Sequence, residues 1–187
     1  MLRSLSVISL LSMIFASPVR CDVVGPPVAR VASESRMKES LRAIELIDEK
    51  GAIFDLRAAL GNGKPTLVTL WANWCPNCRA EMRGFKSIAE KCPDRWNVVF
   101  VSSRAADYEK DLERFRSFGL PWRLYRISPR MQRPENRGLL EAFSGATRQA
   151  EVLTPLHYIV SEKGDVAQIV NGGVDFSDPQ RIAFCAA

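Results

Sequence analysis

Thr66-Leu67-Val68-Thr69-Leu70-Trp71 runs without a break into Ala72-Asn73-Trp74-Cys75-Pro76-Asn77-Cys78-Arg79. The first six residues are a short apolar, β-branched run, the pattern of a buried strand. Beyond the motif, Arg79 to Lys91 carries Met82, Phe85, Ile88 and Ala89 at helical spacing. The two cysteines therefore fall where a strand meets a helix. Two thiols three positions apart at a helix start can close a small disulfide ring without unfolding anything. The unpaired backbone N–H groups and the dipole end of that helix favour a thiolate at Cys75. Pro76 fits the first helical position, where a missing N–H costs nothing. This reading makes Cys75 the exposed nucleophile and Cys78, one turn in and more buried, the resolving thiol. The alternatives are half of a zinc site, which lacks its second Cys/His pair, and an inert structural disulfide.

Outward from the motif the pattern repeats. Asn97 to Ser103 holds the continuous run Val98-Val99-Phe100-Val101, and Asp107 to Phe118 puts Tyr108, Leu112, Phe115 and Phe118 on one helical stripe. Strand, helix, strand, helix predicts a parallel pair at the centre of an α/β sheet. On the N-terminal side, Ala43 to Ile47 and Ala52 to Phe54 flank Asp48-Glu49-Lys50-Gly51, a hairpin pattern in which Gly51 supplies a positive φ. On the C-terminal side, Arg123 to Ile127 reads as a strand and Glu135 to Phe143 as a helix. Leu156 to Ser161 and Val166 to Val170 are strands joined by Glu162-Lys163-Gly164-Asp165, and Asp178 to Phe184 reads as a terminal helix.

The N-terminus is different in kind. Arg3 precedes an apolar run from Leu5 to Ala16, followed by Ser17 and Pro18, which is the layout of a secretory signal peptide. About 12 apolar residues fall short of the roughly 20 that cross a bilayer, so no stable membrane insertion is expected after cleavage. Residues 1–21 are read as the signal, cut at about 16–21, residues 22–40 as a linker or N-terminal arm, and 41–187 as one domain. Export to an oxidising compartment, the periplasm, is the expected location.

Composition agrees with a single packed domain. The 187 residues contain 47% hydrophobic and 25% charged side chains, with 26 Lys plus Arg against 21 Asp plus Glu, a net charge of +5. Those proportions exclude disorder, collagen and coiled-coil arrays. Five cysteines are too few for a disulfide-built scaffold, and one histidine excludes a multi-histidine metal site.

Gly63-Lys64-Pro65, the strand, and Trp71-Ala72-Asn73-Trp74-Cys75-Pro76-Asn77-Cys78-Arg79-Ala80-Glu81 together resemble the thioredoxin-like superfamily, and within it the exported TlpA/ResA type of thiol-disulfide oxidoreductase. The resemblance covers roughly Ile44 to Phe184. It implies a thioredoxin fold: a central mixed sheet flanked by helices, with an N-terminal β-hairpin and a TlpA-like strand-helix insert. It also implies a protein-disulfide reductase, a monomer with no cofactor, that acts on disulfides in exported client proteins and is recharged by an electron-donating redox partner. Thr154-Pro155 matches the family's cis-proline position, which implies that this loop lies beside the cysteines and that the Thr154 backbone pairs with an extended substrate. With Trp74 and Pro76 these residues form the expected substrate surface.

Thr69 stands where thioredoxin has a buried Asp. Glu81, three residues after Cys78, is the expected substitute: a carboxylate placed to accept the resolving thiol's proton, the alternative being a solvated surface Glu. His157 is read as a packed strand residue. A competing class is a copper-binding module using Cys75, Cys78 and His157.

Arg123, Arg126, Arg130, Arg133, Arg137 and Arg148, against Glu135 and Glu141, place nearly all the excess charge in one insert. That is either a solvated face or a docking surface for an acidic partner. Nucleic acid is not expected, because no aromatic-rich basic groove accompanies the charge. The family fold packs the helices bearing Cys92 and Cys185 on one face of the sheet, so a bridge between them is possible. A buried free thiol at Cys92, or competition from Cys21, are the alternatives.

Overall fold

The structure is a computed structural model that describes residues 33–146 and 153–176. The helices are α1 (Glu34–Ala43), α2 (Leu56–Ala59), α3 (Pro76–Lys91), α4 (Tyr108–Arg116) and α5 (Arg137–Phe143). The strands are β1 (Leu46–Ile47), β2 (Ile53–Phe54), β3 (Thr66–Trp71), β4 (Asn97–Ser102), β5 (Leu124–Ile127), β6 (Leu156–Val160) and β7 (Val166–Asn171). They form one sheet in the order β2-β1-β5-β4-β3-β6-β7. Strands β3, β4 and β5 are parallel, whereas β6 runs antiparallel to β3 and β7 antiparallel to β6. β1 pairs antiparallel with both β2 and β5, and Gly51 in the turn has φ +82°.

All six residues of β3 are buried, because both faces of the central sheet are covered. Alternation along the strand assigns each side chain to a face. Leu67 and Trp71 join Met82, Phe85 and Ile88 of α3 and Phe115 of α4 in one core. Val68 and Leu70 join Leu41 of α1, Phe143 of α5 and Tyr158 in the other. Thr69 therefore faces α3, and register sets His157 directly opposite it on β6. The same face admits a close approach at Gly84, where a Cβ would stand 2.8 Å from the Cβ of Phe176.

One sequence expectation changes. The segment read as a linker or arm to residue 40 is helical from Glu34, capped by Ser33, whose hydroxyl accepts the Arg36 N–H at 3.4 Å. Its apolar content is sparse, chiefly Met37 and Leu41 one turn apart, so it shows little periodicity until it packs on α5. The arginines of the insert, in turn, face the N-terminal hairpin or their own helix. Arg123 lies 3.7 Å from Asp48, Arg130 3.8 Å from Glu45 and Arg137 3.0 Å from Glu141, while the Arg126 guanidinium stacks 5.0 Å from the Tyr108 ring centre. Such exposed pairs contribute little stability, but they leave fewer uncommitted cations for a docking partner. Beneath that stack Tyr108 is buried and its hydroxyl donates to the Leu124 carbonyl at 3.2 Å. Burial pushes its pKa up to about 12, against a smaller lowering by Arg126.

The proposed signal segment, Cys21, Arg148, the terminal helix and Cys185 lie outside the described residues. Cys92 is buried and disulfide-bonded; the expected Cys92–Cys185 bridge falls outside the described residues. Among the described residues no helix is long and apolar enough to cross a membrane.

Candidate active site around the Cys75–Cys78 pair

β3 delivers the chain to Trp71, and α3 starts five residues later. Cys75 is the N-cap of α3 in extended conformation, φ −82° and ψ 113°, and Pro76 opens the helix. Its sulfur accepts the Cys78 backbone N–H at 3.1 Å, so one of the helix's unpaired donors points at that sulfur, an arrangement that favours negative charge there. Cys75 and Cys78 are joined by a disulfide, with their Cα atoms 5.3 Å apart. The pair can open and close this bond at the start of the helix.

The approach loop is tied from behind. Asn73 donates through its backbone N–H (2.8 Å) and its side-chain amide (2.6 Å) to one oxygen of Asp111, and Ser102 Oγ donates to the other at 2.6 Å. The Arg79 guanidinium donates to the Asn73 carbonyl, and Trp71 Nε1 to the Cys78 carbonyl at 3.2 Å. Asp111 is fully buried on α4, between the stripe residues Tyr108 and Phe115. Sequence reasoning missed it, although a carboxylate beside an apolar helical stripe is a readable signal that something must pair with it.

Around Cys75 the surface is partly open. Trp74 is 40% exposed, with the Arg104 guanidinium 4.7 Å from its ring centre, and Pro76 is exposed. The Thr154–Pro155 peptide is cis, and the Thr154 carbonyl oxygen lies 3.6 Å from Cys75 Sγ. Cys75 itself is only 3% exposed and Cys78 not at all. The expectation of an exposed nucleophile is thus corrected for the disulfide state. The Thr154 loop, distant in sequence, lies against the sulfur, and the ring bond turns it toward Cys78.

Behind the pair, Glu81 is buried at 5% exposure rather than solvated. Its Oε1 accepts the Val174 N–H at 2.7 Å and lies 3.1 Å from His157 Nε2, while Oε2 is buried with no partner among the described residues. His157 Nδ1 is 3.1 Å from Thr69 Oγ1. Both ring nitrogens are therefore engaged, and the copper-binding alternative has no support in this geometry. Among the described residues no cluster of three or more His, Cys, Asp or Glu side chains is placed to hold a metal ion.

The family model of the AhpC/TSA family matches residues 37–169, more than two thirds of the sequence. This chain belongs to that family. It is 42% identical over 48 residues to the thiol:disulfide interchange protein DsbE of Tatumella citrea, which is 26% of this chain and 25% of that protein. Two solved structures share its thioredoxin-like fold. A thioredoxin-family thiol:disulfide interchange protein from Chlorobium tepidum TLS superposes with a TM-score of 0.52 at 19% identity, over 82% of this chain and 94% of that one. A secreted Mycobacterium tuberculosis disulfide oxidoreductase homologous to E. coli DsbE gives 0.50 at 19% identity, over 78% and 93%. The chain spans only a quarter of the length of DsbE, and 30% of that of the chloroplastic thioredoxin-like HCF164 of Arabidopsis thaliana.

Proposed function

We propose that this protein is a thiol-disulfide oxidoreductase that reduces disulfides in other exported proteins through Cys75 and Cys78. The observation that carries the reading is the closed Cys75–Cys78 disulfide at the N-cap of α3, with the Cys78 N–H on the Cys75 sulfur. In the reduced protein the Cys75 thiolate attacks one sulfur of a client disulfide. The client S–S bond breaks, and its other sulfur leaves as a thiolate that takes a proton from water. Cys78 then loses its proton to Glu81 and attacks Cys75, closing the Cys75–Cys78 bond and releasing the client's second thiol. An electron-donating dithiol protein restores the starting state, so no bound cofactor is required.

Trp74 and Pro76 offer the client an exposed apolar surface, and the Thr154 backbone beside Cys75 supports pairing with an extended client strand, with Pro155 fixing that loop. The signal-like first 21 residues and the DsbE relatives support export to the periplasm, and the protein is proposed to act as a monomer. The motif has no His between its cysteines, so the stabilised thiolate that makes strong oxidants is lacking. The potential is expected nearer to thioredoxin's, about −270 mV, than to the roughly −120 mV of DsbA. Equilibration with a graded glutathione couple tests this, and a potential above about −160 mV would reverse the assigned direction.

A further inference from the structure

The mechanism above uses Glu81 and leaves unused the side chain that holds it. His157 is fully buried on β6, opposite Thr69 of β3 and beneath α3. Its two nitrogens join Thr69 to Glu81, 3.1 Å on either side. The edge of the stack is closed by Phe176, whose ring stands perpendicular to the imidazole at 5.3 Å between centres. Phe176 can sit there because Gly84 has no Cβ to meet it.

With the Glu81 carboxyl ionised and the imidazole neutral, the hydrogen-bond inventory assigns the proton positions. An ionised Glu81 can only accept, and its Oε1 already takes the Val174 N–H. His157 Nε2 must then be the nitrogen that carries hydrogen. Nδ1 is left as an acceptor, and the Thr69 hydroxyl donates to it. Among the described residues the carboxylate is consequently held by two donors on one oxygen and by none on the other. Glu81 lies one helical turn after Cys78, on the buried side of α3. A buried carboxylate oxygen without a donor is costly unless a proton arrives there.

We infer that His157, with Thr69 behind it, is a positioning residue that holds Glu81 by Oε1 so that Oε2 is kept for the proton of Cys78; the inference rests on the dithiol reading above. In the resolving step the Cys78 S–H proton passes to Glu81 Oε2. The sulfur's electron pair forms the Cys75–Cys78 bond, and the pair of the broken Cys75–client bond leaves on the client sulfur. The proton then departs through the surface cleft that Glu81 lines with Asn77, Arg83, Gly173 and Asp175. The titratable or charged groups facing the His157–Glu81 pair are Cys78 and Arg83 from α3 and Asp175 from the segment after β7. Strands β3, β6 and β7 contribute only uncharged neighbours on that face, Thr69, Ile159 and Val170.

An aromatic disulfide such as dithiobis-nitrobenzoate reads both steps in one trace, because attack by Cys75 releases the first coloured thiolate and resolution by Cys78 the second. His157→Leu is expected to leave the first phase within about twofold of the native rate and to slow the second about tenfold at neutral pH, a deficit that closes at alkaline pH, where Cys78 ionises unaided. His157→Gln, which keeps an N–H donor, should recover most of the loss. Thr69→Val, which frees the ring to take the wrong tautomer, should show the same pH signature more weakly. A second phase unchanged in His157→Leu, or slowed equally at every pH, overturns the inference. If His157→Leu does not fold, Thr69→Val and His157→Gln decide on the same criterion, with an unchanged profile in Thr69→Val counting against it. Native protein that releases no second thiolate would instead refute the dithiol reading itself.

Discussion

The two sulfurs of one disulfide sit in different chemical surroundings. On the Cys75 side are a helix-start N–H, the Thr154 carbonyl, an exposed tryptophan and the Arg104 guanidinium. On the Cys78 side are a buried carboxylate, a buried imidazole and a threonine hydroxyl, all hydrogen-bonded in a row. The first region can stabilise a thiolate and meet a client; the second can take a proton in the dry. In the proposed mechanism a three-residue separation divides attack from resolution, because α3 lays one cysteine at its capped end and the next on its buried side.

If that division holds, substitutions on one side should spare the other. The largest separable effect is expected from Glu81→Gln, which keeps the shape and removes the acceptor. Resolution of a preformed Cys75 mixed disulfide should slow by about a hundredfold near neutral pH, with little change in the rate at which Cys75 is alkylated. Asp111→Ala should act on the opposite side. It leaves the Asn73 N–H and the Asn73 amide without their acceptor and the Ser102 hydroxyl with only the Arg104 carbonyl, so chemical denaturation should show a loss of about 2–4 kcal/mol, and Cys75 alkylation should slow. Trp74→Ala should weaken client binding several-fold, in KM more than in kcat, without changing resolution.

The smallest effect is a control far from both sulfurs. The hydroxyl of Tyr108, whose pKa is raised by burial to about 12, must stay protonated in the folded protein after it ionises in the unfolded chain. The unfolded state therefore binds fewer protons above about pH 10, and stability should fall as the pH rises from there toward 12. Tyr108→Phe should flatten that slope in alkaline unfolding curves of the oxidised protein and leave the thiol chemistry untouched.

What the sequence shows clearly is local. The strand, the N-cap cysteine, Pro76 and the stripe of α3 are consecutive, and capping needs nothing from elsewhere, so the motif is legible on sight. The supports are not local. Asp111 reaches Asn73 across 38 residues, His157 reaches Glu81 across 76 and Thr69 across 88. Only the register of β6 on β3 turns His157 toward Thr69, and no periodicity announces a register. Glu81 was visible as a candidate from its spacing to Cys78, but its burial depends on Val174 and Phe176. Burial of Cys75 likewise depends on a loop 79 residues away. The counter-charges of the arginine insert were not legible for the same reason: Asp48 and Glu45 lie at the hairpin, far earlier in the chain.

The division of labour is tested most directly by trapping. Reduced Cys78→Ser and Cys75→Ser proteins are each mixed with a disulfide-bonded substrate, and the adducts are resolved without reductant and mapped by mass spectrometry. The account predicts a stable mixed disulfide through Cys75 in Cys78→Ser and no adduct in Cys75→Ser. An adduct through Cys78 in Cys75→Ser, with none in Cys78→Ser, would contradict it.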